Sequence, residues 1–219
     1  MDGTLIILLC FSVLFLLLRF HWSSSSSIMS RNGNTSQDVD GLFLFDFRKL
    51  SDLDHWTEES DTVREVGKSK AVFQLQKTRL FQRAIFFTLL NPQENGAGFA
   101  GCRTNTNFDF SKYEKLQVYG RAQGSNAGYK IVLRHNGLNN EPNPTYEQIF
   151  QAKPGDQFQL FDLPLTEFKP FYRGRLLPDA PALNKANITR LGLQVFGGVY
   201  MDYKQKGVSS FEIDFIRAV

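Results

Sequence analysis

The chain has 219 residues, of which 42% are apolar, 21% charged and 14% aromatic, and this composition excludes a disordered polar tail and allows a sizeable core. Lys and Arg number 25 against 22 Asp and Glu, and the small excess of +3 argues against a protein that binds the phosphate backbone of nucleic acids. Two cysteines and three histidines provide neither a disulfide framework nor a ligand set at zinc spacing. We therefore expect no metal, no cofactor and a fold stabilised by packing alone.

The first 22 residues are strongly apolar. Residues 5–18 form an uncharged run, which Phe20 and Trp22 extend beyond Arg19. At about 1.5 Å per residue, the stretch through Trp22 nearly spans a hydrocarbon layer of roughly 30 Å. The pattern predicts a single hydrophobic helix that anchors the chain in a membrane, with Trp22 at the interface. A cleaved signal peptide is the alternative, although Asp2 stands where such a peptide carries Lys or Arg.

Residues 23–41 contain mainly Ser, Asn, Gly, Thr and Asp without periodicity. This composition predicts a flexible linker between the segment 1–22 and a domain of residues 42–219. Asn34 and Asn187 each begin a glycosylation motif, which matters only if the domain faces a lumen. Both the membrane and the side on which the domain lies stay open at this point.

From Leu42 onward, apolar residues recur mostly at every second position, and turn-forming residues interrupt the runs. Short helical pieces are expected only near residues 51–55 and 165–168. The 21 phenylalanines suit the space between two packed sheets, because aromatic rings bury much area with few rotatable bonds. The pattern therefore predicts an all-β sandwich. Its clearest strands are residues 42–45, 71–75, 84–89, 116–119, 129–133, 146–150, 191–196 and 211–216.

Several motifs follow one another through most of this domain. They are Ser60-Asp61 and residues 67–69 (GKS), 95–104 (NGAGFAGCRT), 109–113 (DFSKY), 129–134 (YKIVLR), 163–165 (LPL), 173–175 (RGR), 191–193 (LGL) and 211–216 (FEIDFI). The ordered series resembles the complex I intermediate-associated protein 30 family. The resemblance implies a galactose-binding-like, jelly-roll β-sandwich and a non-enzymatic, chaperone-like role in the assembly of mitochondrial respiratory complex I.

The same resemblance implies protein partners, namely complex I subunits or other assembly factors, and a mitochondrial location at the inner membrane. The apolar N-terminus by itself fits a membrane of the endoplasmic reticulum or secretory pathway. A lumenal, lectin-like module that binds carbohydrate is therefore the alternative to an assembly factor, and fold analogy does not decide between them.

Arg173 and Arg175 follow Tyr172 in a short aromatic segment. Two guanidinium groups in such a segment suit the carboxylates of a partner protein, because each can bind a carboxylate through two parallel hydrogen bonds. We predict that these three residues contact a partner. A structural ion pair or a solvated loop is the alternative.

Alternation along the strands provides a second candidate surface. If the apolar neighbours point into the core, then Tyr119, Arg134 and Gln194 point outward. We hypothesise that these three side chains form one face that binds a peptide or a sugar through hydrogen bonds and stacking. An ordinary solvated sheet face is the alternative.

A catalytic function has little support in the sequence. Residues 96–101 contain the three glycines of a dinucleotide-binding pattern, but no helix is predicted after them, which favours a strand whose glycines allow close backbone approach. Cys102 falls at an expected core position, where a thiol is unreactive. His55 and His135 lack a neighbouring nucleophile motif. We expect no catalytic residue.

Overall fold

The computed structural model of the chain describes residues 41–94, 96 and 98–219. The predicted N-terminal helix, the linker up to residue 40 and the motif at Asn34 lie outside the described residues, as do Asn95 and Ala97. Within the described part, no helix is long and apolar enough to cross a membrane. Its two short 3-10 helices span Asp61–Val63 and Leu165–Glu167.

Strands dominate the described part of the chain. They are β1 (Leu42–Asp46), β2 (Thr57–Glu58), β3 (Lys70–Lys77), β4 (Gln82–Leu90), β5 (Phe99–Phe108), β6 (Lys115–Gly124), β7 (Gly128–His135), β8 (Thr145–Gln151), β9 (Gln159–Pro164), β10 (Lys169–Tyr172), β11 (Arg175–Leu176), β12 (Ile188–Phe196) and β13 (Gly207–Ala218).

These strands form two antiparallel sheets in the described residues. A six-stranded sheet has the order β3-β4-β13-β6-β9, with β1 also paired to β13. A seven-stranded sheet has the order β11-β10-β8-β7-β12-β5-β2. The sandwich prediction is confirmed, and each of the eight segments with clear alternation lies in a strand. We refer below to the six-stranded and the seven-stranded sheet.

The prediction of a short helix near residues 51–55 is wrong, because this stretch forms turns and bends. The Asp52 carboxylate accepts hydrogen bonds from the Ser51 hydroxyl, at 2.5 Å, and from the Asp54 backbone N–H, at 3.2 Å. Such local side-chain bonds compete with helical hydrogen bonding. The second predicted piece is the 3-10 helix Leu165–Glu167.

The core lies between the two sheets and is rich in aromatic rings. Phe211, fully buried on β13, stacks on Tyr129 of the facing sheet with ring centroids 4.9 Å apart. It also contacts Phe150 at 5.7 Å and Phe161 at 6.0 Å. These contacts join strands of both sheets, as expected for a phenylalanine-rich sandwich.

A buried polar corner connects the two sheets near β2 and β3. The carboxylate of Asp61, fully buried, accepts hydrogen bonds from the Ser69 N–H at 2.8 Å and the Ser69 hydroxyl at 2.7 Å. A Cβ at Gly67 would overlap the backbone carbonyl of Asp61, so this turn requires glycine. The motif residues at 60–61 and 67–69 therefore have a structural role here.

Candidate functional site

A cleft of about 960 Å³ lies on the outer side of the seven-stranded sheet. Its floor is formed by strand residues that point away from the core. Loops and the β10–β11 hairpin form its walls. We call the whole feature the cleft, and define it by Lys130, Arg134, Glu147, Gln194 and Phe196 in the floor and by Arg64, Glu141, Phe171, Tyr172, Arg173, Arg175, Val199 and Tyr200 in the walls.

Strands β7 and β8 together provide a charged pair in the floor. Tyr129, Ile131 and Leu133 face the core, so Lys130 faces the cleft. Lys130 Nζ lies 2.6 Å from Glu147 Oε2 of β8, and both side chains are about 10% exposed. A pair with so little exposure is stable only while both partners are present, because an unpaired buried charge is costly.

Arg134 is the next charged residue along the cleft side of β7. It is 8% exposed, so its side chain is largely covered by neighbouring residues. Its guanidinium Nη1 donates to the backbone carbonyls of Asn143, at 3.0 Å, and Leu138, at 3.3 Å. Burial lowers the pKa of Arg134 below its ordinary value, and nearby carboxylates, Glu59 foremost, act in the opposite direction.

The β10–β11 hairpin positions the predicted arginine pair. Arg173 and Gly174 have φ angles of 50° and 78°, which a tight two-residue turn between antiparallel strands requires. Arg173 Nη2 donates to Glu141 Oε2 at 2.6 Å, and Arg64 Nη2 lies 3.6 Å from Glu141 Oε1. The hydrogen bond from Arg173 lowers the pKa of Glu141. Arg173 is thus already paired within the chain.

Arg175 differs from Arg173 because no carboxylate lies within 4 Å of it among the described residues. Its guanidinium carbon lies 4.8 Å from the centre of the Tyr200 ring, and that of Arg173 lies 5.3 Å from the Tyr172 ring. Both distances fit cation–π contacts. Arg175 is exposed at the wall of the cleft and can donate hydrogen bonds to a carboxylate of a partner.

Gln194 lies in the floor beside Lys130 and opposite Gly101 of β5. A Cβ at Gly101 would overlap the Gln194 side chain, so the glycine leaves room for this amide. The Gln194 amide makes no hydrogen bond with any other described residue, although the residue is only 8% exposed. With respect to the described residues, its polar atoms are available to a ligand.

The structure corrects the prediction that Tyr119 shares one face with Arg134 and Gln194. Tyr119 lies on β6 of the six-stranded sheet, where its ring stacks on Phe215 at 5.3 Å and contacts Phe158 at 5.4 Å. Alternation tells which residues point outward but not which sheet a strand joins. The other five candidates, Tyr172, Arg173, Arg175, Arg134 and Gln194, line the cleft.

Sequence reasoning missed the acidic and aromatic residues that complete the cleft. Glu141 and Glu147 are paired with cations, and Phe196 and Tyr200 belong to the end of β12 and the loop after it. The Lys130–Glu147 pair could have been predicted, because Lys130 and Glu147 occupy outward positions on two consecutive strands. For the loop residues, no local pattern indicated contact with the hairpin.

The glycine-rich motif of residues 96–101 borders the cleft, because Gly96 and Gly98 line it. The motif's last three residues begin strand β5, as preferred from the sequence. Cys102 follows them in β5, where burial raises the pKa of its thiol. His135 is buried, and its Nδ1 accepts a hydrogen bond from the Asn184 N–H at 2.7 Å. Among the residues of the chain that the structure describes, no His or Cys lines the cleft, and no group of three or more His, Cys, Asp or Glu is placed to hold a metal ion.

Comparison with known proteins adds the family. The model of the complex I intermediate-associated protein 30 family matches residues 45–214. The chain belongs to this family. The Drosophila melanogaster protein named "Complex I intermediate-associated protein 30, mitochondrial" is 24% identical over 189 residues, which cover 79% of this chain and 61% of that relative. An uncharacterised Schizosaccharomyces pombe protein is 26% identical over 165 residues, covering 68% of each chain.

Solved structures with the same fold include carbohydrate-binding modules of Clostridium thermocellum. The family 11 module, solved with a β-1,3-1,4-mixed-linked tetrasaccharide, superposes with a TM-score of 0.60 at 14% identity, covering 82% of this chain and 95% of that one. The family 30 module of a cellulosomal cellulase superposes with a TM-score of 0.52 at 10% identity, covering 81% and 96%. At these identities the likeness shows the galactose-binding-like sandwich fold alone.

Proposed function

We propose that this chain is a non-enzymatic, chaperone-like protein that holds a partner polypeptide in the cleft during assembly of respiratory complex I. Tyr172, Arg173, Arg175, Arg134 and Gln194 are the proposed contact residues. Membership of the complex I intermediate-associated protein 30 family supports the assembly role. The cleft itself supports binding, because its walls and floor combine exposed apolar groups with convergent charged groups.

The exposed apolar groups carry this proposal. Six large apolar side chains that line the cleft are at least about a third exposed: Val63, Ile149, Leu176, Val199, Tyr200 and Met201. Apolar side chains concentrated in one concave site, with charged groups at its rim, are typical of an interaction surface. An extended polypeptide can place apolar side chains against these walls and carboxylates beside Arg175.

We further propose that this binding takes place at the mitochondrial inner membrane. The mitochondrial name of the Drosophila relative supports the organelle, and the uncharged run at residues 5–18 supports attachment to a membrane without specifying which one. In this proposal residues 1–22 anchor the chain, residues 23–41 form a linker, and the domain of residues 42–219 acts beside the membrane. A tether raises the local concentration of the cleft near membrane-bound partners, so that weak contacts suffice.

The experiment is site-specific photo-crosslinking in cells that produce the full chain. A photoreactive phenylalanine replaces Tyr172 or Tyr200 in the cleft, and in the matched control it replaces Phe87, which is 40% exposed on the six-stranded sheet. We expect adducts that contain complex I subunits from the two cleft positions and not from Phe87. Complex I adducts from Phe87 alone, or from none of these positions, would contradict the proposal.

The predicted arginine pair is tested with variants that suit the turn. Asn adopts positive φ more readily than most residues, so Arg173→Asn removes the charge while keeping the hairpin. We expect the double variant Arg173→Asn/Arg175→Gln to recover less complex I subunit in a pull-down than the wild-type chain. Unchanged recovery by this folded double variant would remove the hairpin from the contact surface.

A second candidate, carbohydrate binding, rests on the family 11 module, whose structure contains a tetrasaccharide, and on the two tyrosines of the cleft. In this alternative the domain faces the lumen of the secretory pathway, where Asn187 is available for glycosylation. Calorimetric titration with the mixed-linked tetrasaccharide tests it, with Tyr172→Ala as the variant. Saturable binding that this substitution abolishes, together with a mass shift on deglycosylation, would favour the carbohydrate candidate over the assembly factor.

A further inference from the structure

Three arginines lie close together on neighbouring strands of the seven-stranded sheet. Arg134 of β7 is directly opposite Arg190 of β12, and Arg103 of β5 is opposite Gly192, two residues further along β12. We call Arg103, Arg134 and Arg190 the arginine cluster. Like charges that face each other across neighbouring strands destabilise a sheet unless other groups compensate them.

The carboxylates of this region do not balance the cluster. Glu59 Oε1 lies 3.3 Å from Arg103 Nε and 3.9 Å from Arg190 Nη1, and it is the carboxylate in contact with the cluster in the described chain. Glu147 is bound to Lys130, and Glu141 to Arg173. Two of the three positive charges are therefore left without a carboxylate of their own.

Burial makes this imbalance costly. Arg134 and Arg190 are each 8% exposed. Burial lowers the pKa of both guanidinium groups, and the neighbouring Arg103 lowers both further. A charge removed from water needs a partner of opposite charge. An anion that binds to the cluster would therefore offset part of the free energy that is lost by burying these arginines side by side.

The cluster also has hydrogen-bond donors to spare. Arg134 binds backbone carbonyls through Nη1, and its Nε and Nη2 bond to no other described residue. Arg103 Nε is buried and, despite its distance from Glu59, makes no hydrogen bond with the described residues. The carbonyls of Leu138 and Asn143 fix the Arg134 guanidinium beside the cleft, and a donor that is already ordered binds at lower entropic cost.

We propose that the arginine cluster, entered through Arg134, binds a carboxylate of an acidic side chain on the polypeptide held in the cleft. This inference rests on the proposed function and specifies the chemistry of the partner segment. A planar carboxylate matches the paired N–H groups of a guanidinium. The apolar lining residues Ile149, Val199 and Met201 suit the side chains that flank an Asp or Glu in a polypeptide.

The test compares two pools of fluorescein-labelled octapeptides that bind to the full chain. Both pools contain Val, Leu, Tyr, Ser and Thr, and they differ at one central position, which is Asp or Glu in the first pool and Asn or Gln in the second. Fluorescence polarisation at low salt gives the apparent affinities. We expect the acidic pool to bind at least about tenfold more tightly, as hydrogen bonds to charged groups allow.

Two variants separate a binding role from a structural one. Arg134→Gln should reduce the preference for the acidic pool to about twofold or less, whereas Arg217→Gln, on the six-stranded sheet, should leave it unchanged. Glu59→Gln removes the carboxylate that partly compensates the cluster, so it should increase the preference for the acidic pool. We expect an increase of about threefold, because a partly solvated charge pair contributes an interaction energy of this order. If the cluster had only a structural role, Glu59→Gln would weaken the binding of both pools or leave the preference for the acidic pool unchanged.

Each remaining outcome decides the inference. Equal affinity for the two pools, including no measurable binding of either, would overturn the carboxylate site. If both pools bind equally and the cleft positions still crosslink to complex I subunits, polypeptide binding stands and the cluster has another role. Tighter binding of an oligogalacturonate than of the acidic pool would overturn the assignment of the carboxylate to a polypeptide.

Discussion

At the scale of single residues, Asp61 shows how a polar side chain can hold the fold together. Its carboxylate is fully buried and accepts hydrogen bonds from Ser69 and, at 3.3 Å, from the Phe99 N–H. In the variant Asp61→Asn, the side-chain N–H₂ group replaces one carboxylate oxygen and faces at least one of these donors, from which it cannot accept a hydrogen bond. We expect the free energy of unfolding to fall by about 2–4 kcal/mol, measured by urea denaturation.

Asp179→Asn provides the matched control for this substitution, because Asp179 is exposed and makes no side-chain hydrogen bond with the described residues. Its effect should stay within about 0.5 kcal/mol. Equal stability of the two variants would show that the corner near Asp61 contributes nothing beyond an exposed carboxylate.

His135 should make the stability of the fold depend on pH. Burial lowers its pKa in the folded chain below the ordinary value of 6.5, and its Nδ1 is occupied as an acceptor. The unfolded chain therefore binds a proton first as the pH falls through that value, and protonation favours unfolding. We expect the free energy of unfolding to decrease from pH 7 to pH 5, and to decrease less in His135→Gln. Identical slopes in the two proteins would contradict this assignment.

Residue-level prediction worked where alternation or composition was enough. Arg134 and Gln194 were placed on an outward face correctly, and the buried position of Cys102 was expected. The roles of Glu141 and Tyr200 were not predicted, because each of them contacts an arginine of the hairpin that is distant from it in the sequence. A single sequence contains no local signal for such a contact.

At the scale of elements, the β10–β11 hairpin provides a test of backbone conformation. Arg173 has a φ of 50°, which is uncommon for residues other than Gly, Asn and Asp. Arg173→Asn should leave stability within about 0.5 kcal/mol, because the gain in turn conformation offsets the loss of an exposed ion pair. Arg173→Val should destabilise the chain by about 1–2 kcal/mol, because a β-branched residue disfavours positive φ.

Thermal unfolding of the two variants measures this difference. If Arg173→Val is as stable as Arg173→Asn, the turn does not require the left-handed conformation. The hairpin was foreseen only as an aromatic segment with two arginines. Its strands are short and lack a long alternating run, so the pattern that identified the eight long strands could not identify them.

At the scale of the whole molecule, the sequence predicted a sandwich but not the membership of its sheets. Strand β13 pairs with β1, β4 and β6, which lie far from it along the chain. These pairings place Tyr119 on the sheet opposite Arg134, although both residues point outward from their strands. Alternation is a local property, whereas sheet membership depends on long-range pairing and loop closure.

The same long-range pairing creates the cleft. The hairpin, the loop after β12 and the loop between β7 and β8 come from separate parts of the chain, and the seven-stranded sheet brings them together. Individual arginines could therefore be predicted from the sequence as contact residues, but the cleft and the unbalanced arginine cluster beside it could be recognised only in the folded chain.

Complementation of complex I assembly tests the central claim most directly. Cells that lack this chain receive the full-length wild type, the cleft variant Arg173→Asn/Arg175→Gln, or the opposite-sheet variant Arg217→Gln, at matched protein levels. Native gel electrophoresis then measures assembled complex I. We predict that the wild type and Arg217→Gln restore assembly and that the cleft variant restores markedly less. Full restoration by the cleft variant, or loss of assembly with Arg217→Gln alone, would contradict the account.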